Sequence, residues 1–129
     1  MADLNEKFNE FNNTADTTAQ YDQSDIEQNK FMSILAYISW LVLIPLFAAK
    51  NSRFARFHCN QGLVLAIAEL VVLVVCSILD GMPLIGWIFR LIESLFGLVC
   101  LIYAIIGIVN AVNGRAKELP IVGKFRILK

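Results

Sequence analysis

The chain has 129 residues, 57% of them hydrophobic and 17% charged, and eleven acids offset eleven bases. That length supports one domain and leaves no second polar stretch able to build its own core. The apolar excess places the chain among membrane proteins, and no nucleic-acid partner is expected. Charge is segregated along the chain. Residues 1–30 hold seven acids against Lys7 and Lys30, residues 50–58 hold Lys50, Arg53, Arg56 and His58 with no acid, and residues 115–129 hold five bases against Glu118. Segregation of this kind reports topology.

Residues 1–28 form a polar, acidic arm without glycine or proline. On its own such a segment buries too little apolar surface to offset its ordering entropy, so the arm is expected to be mostly disordered. Leu4, Phe8 and Phe11 recur at i, i+4 and i+7, a short apolar stripe that suits docking or the lipid interface. Ser24, with Glu27 three residues later, reads as a helix start. The arm has no apolar core of its own, so no signal peptide is expected.

The membrane domain is expected over 29–114, as an all-α fold of three transmembrane helices and one interfacial helix. Phe31–Ala49 is uncharged and nineteen residues long, enough to cross a bilayer core of about 30 Å at about 1.5 Å per residue. Pro45 should kink it or end its regular part. The second span is read at 58–79, closed by the turn Asp80-Gly81-Met82-Pro83. Residues 84–113 are too many for one untilted span and too few for two spans with a turn. They divide into an interfacial helix at 84–94, with Trp87 and Phe89 at headgroup level, and a third span at 95–113. One long helix is the alternative. Three spans put the basic 50–58 loop and the basic 115–129 tail on one side, so the amino terminus is expected outside and the carboxyl terminus inside the cytoplasmic membrane.

Several residues are candidates for function. Gly97, Cys100, Ala104, Gly107, Ala111 and Gly114 make a seam of small residues on one helix face, expected to pack on the face of the second span that carries His58, Gly62, Ala66, Glu69 and Cys76. Glu69 is an acid near the midplane, with Tyr37, Ser39, Trp40 and Tyr103 at similar depth. It reads either as a proton or cation site or as a neutral acid with a hydrogen-bond partner. Cys59, Cys76 and Cys100 carry no disulfide or metal-site spacing, so no metal or cofactor is expected. In 49–63, Arg53, Arg56 and His58 alternate with Phe54 and Phe57, a pattern suited to anionic lipid at a membrane surface. His58, Asn60 and Gln61 are polar groups in a helix start. They are expected to bond free carbonyls near Pro45, or Asn110 and Asn113.

Leu35-Ala36-Tyr37, Ile44-Pro45-Leu46, Ser52-Arg53-Phe54-Ala55-Arg56-Phe57-His58, Gln61-Gly62-Leu63 and Leu119-Pro120-Ile121-Val122-Gly123 together resemble a group of small bacterial membrane proteins. That group is similar at a distance to the twenty-kilodalton channel-forming subunit of the chloroplast inner-envelope import machinery (Tic). The resemblance implies a compact helical domain in a bacterial inner membrane, behind a variable polar amino-terminal region. No acid–base pair, nucleophile or metal constellation points to an enzyme. The leading reading is a non-catalytic scaffold or accessory subunit that binds a partner or anionic lipid. The alternative is an oligomeric transporter or channel component with Glu69 in the pathway, which needs a homo-oligomer or a membrane-protein partner.

Overall fold

Two apolar runs without an interior proline set the architecture. In a computed structural model, which describes residues 2–125 and 127, they form the helices α4 (Arg53–Leu79) and α5 (Gly86–Val112). The side chains of Ala2, Asp3, Ser39 and Trp40 are outside that description, as are Arg126 and Lys129 of the basic tail. Each long helix has 27 residues, about 40 Å, which exceeds the roughly 30 Å of a bilayer core. The turn at 80–85 reverses the chain and makes them an antiparallel hairpin. Both are long and apolar enough to cross a membrane.

The surplus length is accounted for at one end. Most of Arg53–Gly62 is buried inside the protein, whereas Val71, Ile78, Trp87, Leu95 and Leu101 lower on the hairpin are about half or more exposed. Water does not tolerate a continuous apolar band of this size, but lipid does. The hairpin therefore has an exposed apolar shaft and a capped end.

Three shorter helices precede it: α1 (Ala2–Phe11), α2 (Gln23–Leu35) and α3 (Leu43–Ala48). Among the described residues there is no β-strand, and a single bridge pairs Asp16 with Lys117. The α2 helix starts at Gln23, with Asp22 rather than Ser24 as its flanking residue. Glu27 bonds Gln23 at 3.0 Å and pairs with Lys30 at 3.6 Å instead of capping. Asn29 leaves helical geometry because its amide turns back to the Asp25 carbonyl and carboxylate, at 3.2 and 2.8 Å.

The expected first span, Phe31–Ala49, is not one helix. Helix α2 ends at Leu35, a turn and a 3₁₀ segment cover residues 36–42, and α3 adds six residues. Pro45 occupies the first turn of α3, where its missing N–H has no intrahelical partner to lose. It sits at a helix start rather than near a helix end. The turn is held because Tyr37 swings out of line to bond His58 and because Gly62 and Gly107 leave room for it.

Two further expectations change. Residues 84–94 and 95–113 are not an interfacial helix plus a span, because α5 runs unbroken from Gly86 to Val112. The arm is not free. Its residues 14–18 lie beside 115–118, with Thr17 N–H on the Ala116 carbonyl at 3.0 Å and Glu118 N–H on the Ala15 carbonyl at 2.9 Å. Helix α1 reaches α5 through a stacked Phe11–Tyr103 pair. Entropy arguments on the arm alone omit these partners, about a hundred residues away. Arm and tail also meet in an Asp16–Arg115 ion pair of 2.9 Å, so both lie at the capped end. The three-span expectation puts arm and tail on opposite sides of the membrane.

Candidate functional site

The capped end is built around the first turns of α4. Ser52 caps the helix by accepting the Ala55 N–H at 3.0 Å, so α4 begins five residues before the expected start at His58. Asp25 of α2 adds a carboxylate there: it accepts the Phe54 N–H at 3.0 Å and the Ser52 hydroxyl at 2.5 Å. A negative charge at a helix N-terminus opposes the helix dipole and uses free N–H groups. Sequence reasoning missed Asp25; the Ser52-x-x-Ala55 spacing before an apolar helix was the available signal for Ser52.

His58 is fully buried among Tyr37, Phe54 and Phe57, whose rings stand near-perpendicular to it at 5.4, 4.8 and 5.2 Å. Its Nε2 lies 2.9 Å from the Arg115 carbonyl. A carbonyl only accepts, so Nε2 carries the proton and Nδ1 accepts the Tyr37 hydroxyl. One ring thus ties the 36–38 turn to the carboxyl-terminal tail.

The next two residues repeat the device. Gln61 Oε1 accepts the Leu119 N–H at 2.5 Å, and its amide faces the Lys117 carbonyl at 3.4 Å. Asn60 donates to the Phe125 carbonyl at 2.7 Å and accepts the Ile127 N–H at 2.6 Å. Asn110 of α5 also reaches the Lys117 carbonyl, at 3.5 Å. The polar residues of the Phe-His-x-x-Gln-Gly element therefore hold the backbone of 115–127. Among the described residues, His58 and Gln61 bond that backbone and the Tyr37 hydroxyl rather than the carbonyls near Pro45.

The basic candidates divide. Arg53 is exposed, 5.3 Å over the Tyr21 ring, Arg56 is half-buried, and Arg115 pairs with Asp16. Burial opposes ionisation of Asp16, but the Thr18 hydroxyl and N–H and the Arg115 guanidinium outweigh it and hold the carboxyl below its ordinary range.

The small-residue seam meets several neighbours. A Cβ on Gly107 would lie 2.3 Å from the Tyr37 ring, and one on Gly62 would lie 1.8 Å from the Ala36 carbonyl oxygen. Both glycines therefore pack on the 36–38 turn, wedged between α4 and α5, rather than on each other. Gly114 faces Ile26 and Lys30, and Gly97 faces open space. Cys100 and Ala111 are buried and Ala104 is half-buried. Below the wedge the helices part, leaving clefts of about 450 and 250 Å³. Glu69 lines both, with Tyr37 and Cys100 at the first and Glu93 at the second. Ser39 and Trp40, expected at this depth, have side chains outside the description. Among the described residues no cluster of three His, Cys, Asp or Glu side chains is gathered for a metal ion.

An exposed apolar hairpin with a polar-cored cap fits the class of small helical membrane proteins. The family follows from comparison: a model of the magnetosome magnetite crystal formation protein family matches residues 28–126, and the chain belongs to that family. Magnetosome protein MmsF of Paramagnetospirillum magneticum is 33% identical over 92 residues, 70% of this chain and 78% of that protein. Magnetosome protein MamF of the same organism is 30% identical over 95 residues, 73% and 78% of the two chains. A UPF0132 membrane protein of Methanocaldococcus jannaschii is 26% identical over 92 residues, 70% of this chain and 61% of its own length. No solved structure matches.

These matches overturn the resemblance to the chloroplast import subunit. The motif residues that suggested it all fall inside the magnetosome-family match. An alternation of aromatic and basic residues before an apolar helix suits membrane surfaces in general and does not single out one family.

Proposed function

We propose that this protein is a non-catalytic accessory component of a bacterial membrane, anchored by the α4–α5 hairpin, with its cap as the part that meets other molecules. The observation that carries this reading is where the motif's polar groups go. His58, Asn60 and Gln61 each bond the chain's own backbone, so the most functional-looking cluster is structural. The names of the magnetosome relatives describe no reaction, and the family description extends the proposal to a role in mineral crystal formation at a membrane.

The topology proposed here has two spans, with the cap on the cytoplasmic side. Of the eleven Lys and Arg residues, Arg90 is on the shaft and the other ten are outside it, a bias that keeps the cap inside. Thiol labelling in a cysteine-free background tests this. A cysteine at Met82 should react with an impermeant reagent on intact cells, and cysteines at Asn13 and Lys124 only after the cells are opened. Labelling of Asn13 and Lys124 from opposite sides would refute it. For the role itself, expression in Paramagnetospirillum magneticum lacking MmsF should shift magnetite crystal dimensions towards those of unaltered cells. Unchanged crystals, with the protein present in the membrane, refute that role.

One observation favours a second reading, an oligomeric transport component: Glu69 lines both clefts between the long helices. If it conducts, Glu69→Gln should abolish pH-dependent flux in vesicles while folding normally. Wild-type vesicles without flux above empty ones exclude it.

A further inference from the structure

Residues 31–49 carry no charge, and Lys30 and Lys50 bound them. They run in and back alongside the hairpin. Helix α2 leads in, the 36–42 turn reverses the chain, and α3 leads out. Both limbs open at the cap, where Asp25 and Asn29 of the first line one polar depression with Ala48, Ala49 and Asn51 of the second. The turn is deeper. Ala36 and Tyr37 pack on Gly62 and Gly107, and Ile38 lines a cleft with Ala66, Leu101 and Ile105. Those three stand 7–13 residues from the cap ends of α4 and α5, about 10–20 Å along them. The cap takes up the surplus of about 10 Å, so the turn falls in the nearer half of a bilayer core about 30 Å thick.

The outward side of this loop is apolar. Phe31, Ile38, Leu41, Leu43, Ile44 and Phe47 are all exposed, Phe31 and Phe47 by 67% and 72%. The Ser33 hydroxyl is buried on the Asn29 carbonyl at 2.8 Å. The N–H groups of Tyr37, Ile38 and Leu41 bond the carbonyls of Ile34, Leu35 and Ile38 at 3.2, 3.2 and 2.9 Å. A turn with its N–H groups bonded and its outward side chains apolar is one that lipid admits.

We propose that residues 31–49 are a re-entrant wedge in the cap-side leaflet, and that the protein thereby favours membranes curved with the cap on the convex face. The proposal rests on the reading that α4 and α5 cross the bilayer. Lipid is the occupant of the exposed face because that face continues the shaft's apolar band, with Ile38 and Leu101 exposed beside one cleft. Lys30 and Lys50 stand at its two exits, where cations meet headgroup phosphates. Among the described residues, the cap-side leaflet then holds limbs of α2, α3, α4 and α5, and the opposite leaflet only those of α4 and α5. Extra volume in one leaflet is best accommodated where that leaflet is spread. By linkage, a shape that prefers curvature also stabilises it.

Thin tethers pulled from giant vesicles test the curvature. Cys59, Cys76 and Cys100 are replaced by alanine, and an impermeant dye is added outside. It marks only cap-out copies at Asn13→Cys and only tip-out copies at Met82→Cys. Cap-out copies should be enriched on the tether relative to a lipid dye, more so as it narrows, and tip-out copies depleted. Equal partition of both, or enrichment of both, overturns the proposal. Ile44→Asp with Phe47→Asp charges the outward face and leaves the buried turn untouched, so sorting should weaken. Sorting as strong as that of the wild type assigns the curvature elsewhere and overturns the proposal.

Depth is read separately with a spin label. At Ile38→Cys and Phe47→Cys it should collide with oxygen and be shielded from a water-soluble nickel chelate, whereas at Lys50→Cys it should meet the chelate. Impermeant labelling of Met82→Cys on intact cells separates the two layers. A tip across the bilayer with nickel access at Ile38 refutes the wedge alone, whereas a tip that is not across refutes the topology as well.

Discussion

Adding one methyl group at Gly62 tests the wedge. In Gly62→Ala the new Cβ would stand 1.8 Å from the Ala36 carbonyl oxygen and 2.7 Å from its carbon, where ordinary contact begins at 3.4 Å. The turn must therefore withdraw by about 1.6 Å, the difference between 3.4 and 1.8 Å. It cannot do so freely, because the obstacle is backbone and the next residue, Tyr37, is bonded to His58. Helix propensity pulls the other way, since alanine in a helix interior is favoured over glycine by about 1 kcal/mol. Overpacking costs about 1–3 kcal/mol, and losing the buried Tyr37–His58 bond adds about 1–3 kcal/mol, so the clash wins. A net loss of about 1–5 kcal/mol corresponds to roughly 4–20 °C in a domain of this size. The three buried free cysteines supply the assay: a thiol-reactive dye reports their exposure on heating in detergent. Gly97→Ala, which meets open space, is the control and should match or slightly exceed the wild type. If Gly62→Ala melts with Gly97→Ala, the wedge does not hold the hairpin.

Gly107→Leu should destabilise by about 1–3 kcal/mol through the Tyr37 ring, with Val109→Leu, at a half-exposed position, nearly silent in the same thermal assay. Gln61→Leu leaves the Leu119 N–H unpaired and the Lys117 carbonyl with the long Asn110 bond alone; at about 1–3 kcal/mol per unsatisfied buried group, the 115–125 tail should become the first site of limited proteolysis. The Asp16–Arg115 contact has a pH signature. Because the folded carboxyl titrates below its ordinary value of 3.8, its stabilising effect is present above that value and is lost as pH falls through the lowered one. Protease protection of the tail should therefore drop at acid pH in the wild type, and Asp16→Asn should show a reduced, flatter protection over the same range.

The body of α4 was legible because residues 62–79 are a nearly continuous apolar run and its signal is local, whereas α5 was divided at residue 94 because Arg90 and Glu93 interrupt the run. The break in Phe31–Ala49 was not legible, because its cause lies elsewhere in the chain: glycines at 62 and 107 that admit the turn, and a histidine at 58 that holds it. A hydropathy window cannot register a partner twenty or seventy residues away. The same limit hid the fold of the tail. Gln61 and Asn60 were visible as polar groups out of place at a helix start, but their partners are backbone groups 56–67 residues on, and backbone leaves no mark in a sequence. Arm and tail were read as opposite in charge and then separated by a parity count. Their opposite charges are what Asp16 and Arg115 use to meet.

The two anchors of the cap form at different moments of the protein's synthesis. Asp25 finds Ser52 and Phe54 after only 27–29 further residues, before either long helix is complete. Asp16 must wait for Arg115, 99 residues later, which at about 5–20 residues per second is a delay of roughly 5–20 s. Through that interval the hairpin is made and can insert while His58, Asn60 and Gln61 lack the backbone they will hold. A ribosome that stalls before residue 115 therefore leaves a finished hairpin whose His58, Asn60 and Gln61 face an open end in place of the backbone that closes it.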